Sequence, residues 1–113
     1  MATCIFCRIA VKELNAKVVF EDPEVMAFAD INPQAPVHLL VIPRMHIPDL
    51  KSVGVPHMAL LGKLMLVAKD LAVKYKLQPG FRVVMNEGRL GGQTVDHVHL
   101  HLLGGRQMNW PPG

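Results

Sequence analysis

The sequence has 113 residues, of which 50% are hydrophobic and 19% are charged. This length suits one domain, and this composition excludes an intrinsically disordered chain. The net charge is +3, and no run of Lys or Arg forms a basic stripe that could bind nucleic acid. This mild positive charge suits a small anionic substrate. No segment approaches the roughly 18 to 20 apolar residues of a membrane span, and residues 1–8 lack a signal-peptide pattern, so a soluble cytoplasmic protein is expected.

The first part of the chain predicts a short helix and three strands. Residues Thr3–Lys12 predict the helix, with Thr3 as its N-cap. A loop is expected at residues 32–36, because proline excludes sustained regular structure there. The strands are short runs bounded by turn residues or proline: Val18–Phe20, Val25–Ala29 and Val37–Ile42.

Residues Pro56–Lys76 predict one long helix, because apolar residues recur there at helical spacing. The main apolar stripe consists of Leu61, Leu64, Met65, Ala68, Leu71, Ala72 and Tyr75. The apolar surface is wider than this stripe, through Leu60, Leu66, Val67 and Val73. Since one sheet needs one covered face, the surplus predicts contact with a second subunit. His57 is assigned to the helix start alone.

The last part of the chain predicts two strands around a glycine-rich loop. Phe81–Met85 and Val95–Leu103 predict the strands, and residues 88–94 the loop. The connections are too short for repeated βαβ crossovers. We therefore expect an α+β fold with a five-stranded, mostly antiparallel sheet, one long helix and a short N-terminal helix.

Three histidines alternate with aliphatic residues in the final predicted strand, at His97, His99 and His101. Side chains alternate between the faces of a strand, so the three imidazoles share one face and the aliphatic residues point into the core. Three polar rings side by side need a reason beyond packing. This spacing therefore predicts a functional site.

Two kinds of chemistry fit these rings. Three imidazoles can bind Zn²⁺ as an open catalytic site. Alternatively, a neutral imidazole, with its ordinary pKa of about 6.5, can attack phosphorus. The preceding loop Gly91–Thr94 favours the second, because backbone N–H groups of such a loop can bind a phosphate. Both remain open at this point.

Cys4 and Cys7 form a C-x-x-C pair near the N-terminus. In a reducing compartment this spacing fits a metal or redox pair better than a structural disulfide. The alternative is that both thiols lie free on a helix turn.

The whole pattern resembles the histidine-triad (HIT) superfamily. The resemblance lies in the H-x-H-x-H segment with two apolar residues after it, and in the segments 86–88 and 91–95 before it. Residues 103–113 are similar to the Hint branch, the purine nucleoside phosphoramidases, and three further segments match as well: 5–9, 28–36 and 38–44. The resemblance implies one HIT domain over residues 1–113.

The resemblance also implies catalytic roles. His99 is the nucleophile that forms a nucleotidyl–imidazole intermediate, and His101 contacts a phosphate oxygen. His97 and His38 support and orient the site. Thr94 stands where many Hint-branch members have Ser; its hydroxyl can assist the leaving amine, while its methyl group restricts χ1.

The nucleotide contacts are implied in the same way. Asp30 binds the ribose hydroxyls, although by itself it is typical of a turn. The Trp110 tail resembles a segment that reaches the neighbouring site in family dimers. The full implied nucleotide-binding set is Phe28, Asp30, Ile31, Asn86, Gly92, Gln93, Thr94, His99 and His101.

The resemblance implies a structural zinc at Cys4, Cys7, His46 and His97, since some family members bind zinc through a C-x-x-C pair and two histidines. Two thiolates and two imidazoles suit tetrahedral Zn²⁺ and leave no open position. No cofactor is required for the chemistry. The resemblance implies a homodimer that hydrolyses purine nucleoside phosphoramidates and acyl-adenylates, without nucleic-acid or membrane partners.

Two rival functions stay open: a non-catalytic nucleotide-binding module, and a metal-dependent hydrolase with His97, His99 and His101 on one ion. The transferases and dinucleoside-polyphosphate hydrolases among the other branches fit the C-terminal tail less well.

Overall fold

The computed structural model describes residues 3–113 and contains one antiparallel sheet. Its strands are β1 (Val18–Glu21), β2 (Val25–Ala29), β3 (Val37–Pro43), β4 (Phe81–Val84) and β5 (Leu100–Gly104). They lie in the order β1-β2-β3-β5-β4, and every neighbouring pair is antiparallel. The helices are α1 (Ile5–Ala10) and α2 (Met58–Lys74). The predicted α+β fold is confirmed.

The two faces of the sheet carry separate cores. The first core lies between the sheet and α2, and includes Leu64 and Leu71 of the helix and Leu102 of β5. The second lies against α1, and includes Phe6 of the helix and Phe28 of β2. Alternation along each strand sends successive side chains to opposite cores.

Helix α1 is shorter than predicted, and its N-cap is Cys4 rather than Thr3. The Cys4 Sγ accepts the Cys7 N–H at 3.4 Å, which satisfies one of the free donors of the first turn. The chain leaves the helix at Val11, and Lys12 adopts a left-handed φ of 66°. That conformation stops helical propagation before Lys12.

The final strand begins at Leu100, not at Val95 as predicted, so His97 and His99 precede it. The β3–β5 ladder ends at the pair Val41 and Leu100. Two residues beyond Val41 stands Pro43, which lacks an N–H for further pairing. The Val98 N–H instead donates to the Ile47 carbonyl at 2.7 Å.

The alternation of faces nevertheless holds through this irregular segment. Val98, Leu100 and Leu102 all belong to the core under α2. The rings of His97 and His99 contact Phe6 on the opposite side.

Helix α2 buries one face and exposes part of its apolar surface. The buried residues are Leu64, Val67, Ala68, Leu71 and Ala72. Val67 therefore belongs to the buried face, not to the predicted surplus, and Met65, a member of the predicted main stripe, is 50% exposed. A 3-10 turn at Val55–His57 precedes the helix, and His57 lies at its start as predicted. Within residues 3–113, no helix has the length and hydropathy needed to cross a membrane.

Candidate active site

His99 lies at a cavity of about 260 Å³ on the α1 side of the sheet. Its Nδ1 lies 2.7 Å from the His97 carbonyl oxygen. A carbonyl only accepts, so Nδ1 carries the proton and Nε2 keeps a free lone pair. Burial lowers the pKa of His99, although the hydrogen bond to the carbonyl opposes this effect. The ring is therefore neutral at pH 7, with an unprotonated nitrogen available to a bound molecule.

His101 differs from His99 in which ring nitrogen carries the proton, although both line the same cavity. The Gln34 N–H donates to His38 Nδ1 at 3.0 Å, so His38 carries its proton on Nε2. That N–H donates to His101 Nδ1 at 2.9 Å, which places the His101 proton on Nε2. Since the rings of His99 and His101 are 5.0 Å apart between centroids, an acceptor nitrogen and a donor N–H lie side by side.

His38 and His101 are both neutral at pH 7. Burial lowers the pKa of His101 to about 4, and the neighbouring His99 and His38 add to the effect. Burial also lowers the pKa of His38, although the carboxylate of Asp30 opposes it.

Asp30 is both a turn residue and part of the cavity lining. Its Oδ1 accepts the Asn32 N–H at 2.8 Å, and its Oδ2 lies 3.5 Å from His38 Nε2. The side chain keeps contact with solvent in the cavity. The turn role therefore uses one oxygen and leaves the other for a ligand.

Six of the predicted nucleotide contacts line the cavity: Phe28, Asp30, Ile31, Thr94, His99 and His101. Asn86, Gly92 and Gln93 lie in the neighbouring loop and are not part of the lining. The Gln93 side chain instead binds main-chain groups of that loop and of Pro48. Glycine is required at Gly91, where a Cβ would overlap the Glu87 carbonyl oxygen.

Helix α1 contributes an apolar wall that was absent from the predicted site residues. Ile5, Phe6 and Ile9 line the cavity, and the adjacent loop adds Asn15 and Ala16. The signal was available in part, because spacings of one and four residues place these three side chains on one face of a helix.

His97 points away from the cavity, into a cluster with Cys4, Cys7 and His46. Its Nδ1 lies 3.4 Å from Cys4 Sγ, 3.6 Å from Cys7 Sγ and 3.2 Å from His46 Nδ1. His97 Nε2 donates to the Pro43 carbonyl at 2.8 Å, so the lone pair on Nδ1 faces the cluster.

The cluster has the donors and spacing of a tetrahedral metal site. Zn–N bonds of about 2.0–2.1 Å and Zn–S bonds of about 2.3 Å place tetrahedral donors about 3.3–3.8 Å apart. The observed separations of 3.2–3.6 Å agree. Burial and the neighbouring Cys4 raise the pKa of the Cys7 thiol; a cation would favour its thiolate. The residues therefore fit a structural zinc.

The same geometry excludes a single ion bound by all three histidines of the triad. One nitrogen of His97 is directed into the cysteine cluster, and the other donates to Pro43. Neither is left for an ion shared with His99 and His101.

A larger cavity of about 540 Å³ lies between residues 76–82 and 105–108. Its lining contains no histidine, cysteine or carboxylate side chain. The chemistry-bearing groups therefore gather at the smaller cavity.

This sheet, with an H-x-H-x-H segment beside a cavity, defines a histidine-triad class of protein. A family model described as the HIT domain matches residues 11–108. The chain is 51% identical over 111 residues to the 14 kDa zinc-binding protein of Zea mays. The alignment covers 96% of this chain and 87% of that protein. The chain belongs to the HIT domain family.

Solved structures agree with this assignment. The crystal structure of a HIT family hydrolase from Legionella pneumophila Philadelphia 1 has a TM-score of 0.97 and 52% identity, covering 98% of this chain and 100% of that one. The histidine triad nucleotide-binding protein of Candida albicans has a TM-score of 0.82 and 33% identity, covering 96% and 83%. The chain is thus built like the HIT family hydrolases.

Proposed function

We propose that the chain hydrolyses purine nucleoside phosphoramidates, and acyl-adenylates as well, through a covalent intermediate on His99. The observation that carries this proposal is the free lone pair on His99 Nε2, fixed by the Nδ1 hydrogen bond to the His97 carbonyl. The nucleotide-binding relative from Candida albicans supports a nucleotide ligand. The hydrolase relative from Legionella supports hydrolysis.

In the first step, His99 Nε2 attacks the α-phosphorus as the phosphorus–nitrogen bond to the amine breaks. The amine leaves with a proton that is taken from solvent and relayed through the Thr94 hydroxyl. The His101 N–H, backed by His38, donates to a phosphate oxygen. Such preorganised donors stabilise charge that develops in the transition state.

In the second step, water attacks phosphorus and the phosphorus–Nε2 bond breaks. The nucleoside monophosphate leaves, and His99 returns to its neutral form after the water proton is passed to solvent. Splitting the displacement in two means that water never has to expel the amine directly.

The remaining lining suits the nucleoside. Phe6, Phe28 and Ile31 offer apolar and aromatic surface to a purine base, and Asp30 Oδ2 offers an acceptor to the ribose hydroxyls. Ile31 is fully exposed and lines the cavity, so its side chain is free to contact a bound base.

We also propose that Cys4, Cys7, His46 and His97 hold a structural Zn²⁺. The zinc-binding relative from Zea mays supports this metal. Bound there, the ion would link α1 to the loop after β3 and to the segment before β5, and no chemical step requires it.

A homodimer is a further part of the proposal. Met58, Met65, Leu66 and Val73 leave an exposed apolar stripe along α2, each at least 50% exposed. Such a stripe favours a protein contact.

Light scattering should give twice the chain mass at micromolar concentration. Leu66→Glu should shift the measured mass towards that of the monomer. A monomeric wild type would contradict the dimer.

The direct test of the activity is His99→Ala. We expect kcat to fall by at least roughly a thousandfold, because the nucleophile is gone, while AMP still binds. His57→Ala, a histidine at the start of α2, serves as the matched control and should keep wild-type turnover. Near-normal hydrolysis by a contaminant-free His99→Ala preparation would refute the proposal in favour of another nucleophile, and no hydrolysis by wild type would favour a binding module.

A further inference from the structure

The metal cluster and the cavity are built on the same short helix. Cys4 caps α1 and Cys7 lies in its first turn. The same helix supplies Ile5, Phe6 and Ile9 to the cavity wall. Because α1 is only six residues long, it is too short to be stable alone, so its position depends on its tertiary contacts.

His97 makes a second connection between cluster and cavity. Its side chain lies in the cluster, completely buried, and its carbonyl oxygen accepts the Nδ1–H of His99 at 2.7 Å. A rotation of the His97 peptide would remove this acceptor. His99 would then lose the bond that keeps Nε2 unprotonated.

Phe6 makes the third connection. Its ring meets His97 edge-to-face at 5.8 Å between centroids, and His99 at 5.1 Å. It also meets Phe28 at 5.5 Å. One aromatic ring therefore touches a cluster member, the nucleophile and the cavity wall.

We infer that the four-donor cluster is a positioning centre for the cavity. Metal bound there fixes α1 and the His97 peptide, and so sets both the tautomer of His99 and the affinity for nucleotide. Without metal, the cluster offers weak thiol–imidazole contacts of 3.3–3.6 Å, whereas coordination orients all four donors together. The nucleotide in this inference rests on the proposed function.

His46 is the residue through which the inference is tested. It is exposed, lies beyond the end of β3, and is not part of the cavity lining. His46→Ala therefore removes one metal donor and leaves the cavity residues in place. Met45→Ala is the matched control, because Met45 is the adjacent residue, is 55% exposed and gives no donor to the cluster.

Two measurements are made on wild type, His46→Ala and Met45→Ala, each after chelation and again after addition of Zn²⁺ alone. Long-range ¹H–¹⁵N NMR reports the His99 tautomer, with His99→Ala identifying the signal, and calorimetry reports AMP affinity. Zinc-loaded wild type and Met45→Ala should show one Nδ1–H tautomer. Chelated wild type and His46→Ala should show a mixed tautomer and bind AMP roughly tenfold more weakly, as for other residues that support a site indirectly.

Zinc should restore the wild-type signal after chelation but not that of His46→Ala. An unchanged His99 tautomer and AMP affinity with and without zinc would overturn the inference, as would failure of wild type to take up zinc. Loss of the amide signals of α2 on chelation would also contradict it, because the metal would then support the whole fold.

If His46→Ala does not fold, chelated and reloaded wild type make the same comparison. If zinc-loaded wild type does not bind AMP, the proposed function fails, while the NMR measurement still decides the coupling.

Discussion

The two faces of the sheet are covered in different ways. On one face, the 17-residue helix α2 closes a core of aliphatic side chains. On the other, the six-residue helix α1 covers only part of the surface and leaves a cavity beside His99 and His101. Apolar burial is the main source of folding stability, so α2 stabilises the sheet while the shorter cover on the other face leaves room for a ligand.

The polar groups follow the same division. His38, His97 and His99 are the buried polar side chains among the described residues, and all three lie on the α1 side or at its edge. Each finds a hydrogen-bond partner, as buried polar groups must. One face of a small sheet can therefore supply most of the folding stability while the other carries a site. In that site, main-chain carbonyls and N–H groups set the orientations of the histidine rings.

The largest effect that separates the faces is expected from Leu64→Ala in α2. Leu64 is completely buried, so its truncation should lower the free energy of unfolding by about 3 kcal/mol. In the folded protein, kcat/KM should stay near the wild-type value, because no cavity residue changes. Denaturant unfolding and steady-state kinetics at low temperature measure the two quantities.

Leu90→Ala is the matched control, because Leu90 is 92% exposed; it should change stability by no more than about 0.5 kcal/mol. A loss of more than about tenfold in kcat/KM for folded Leu64→Ala, about 1.4 kcal/mol in the barrier, would show that the faces are not independent.

An intermediate effect is expected from acid, and it belongs to the α1 side. The pKa of His101 is about 4 in the folded chain and about 6.5 when unfolded. Between these values the unfolded chain binds more protons, so stability falls as the pH falls from 6.5 towards 4. After allowance for solvent that reaches the ring, the His101 contribution is about 1–2 kcal/mol.

Denaturant unfolding at several pH values tests this contribution in wild type and in His101→Asn, which cannot titrate. The variant should show a flatter dependence of stability on pH. Equal slopes in the two proteins would mean that His101 is not held neutral by the fold.

The smallest effect is expected at Thr94, which lines the cavity. Thr94→Ser keeps the hydroxyl and should change kcat by less than about threefold. Thr94→Ala removes the proposed proton relay and should lower kcat about tenfold, equivalent to one lost hydrogen bond of about 1.4 kcal/mol. Equal rates for Ala and Ser would remove Thr94 from the mechanism.

Much of the fold could be predicted because it depends on local pattern. Val25–Ala29 is observed with the predicted bounds, since a run of apolar residues follows a turn there. The alternation of His97, His99 and His101 with aliphatic residues correctly separated the two faces. These properties follow from the geometry of an extended chain and need no distant contact.

What could not be predicted depends on contacts between distant residues. The late start of β5 arises from Pro43, which reaches residues 97–99 only in the folded sheet. His46 lies 39 residues from Cys7, so spacing alone could not join it to the cluster, and only the resemblance to the family indicated it. The Gln93 side chain binds loop main chain, and no local sequence pattern predicts those contacts; its contact with a nucleotide stays a prediction.

The most direct test of the central claim is to trap the intermediate. Wild type is mixed with a purine nucleoside phosphoramidate, quenched within the first turnover in neutral denaturant, and digested for mass spectrometry. A nucleoside monophosphate attached to His99, absent from His99→Ala, is the predicted result. Turnover with the unlabelled His99 peptide throughout, or with the nucleotide on His101, would contradict the account.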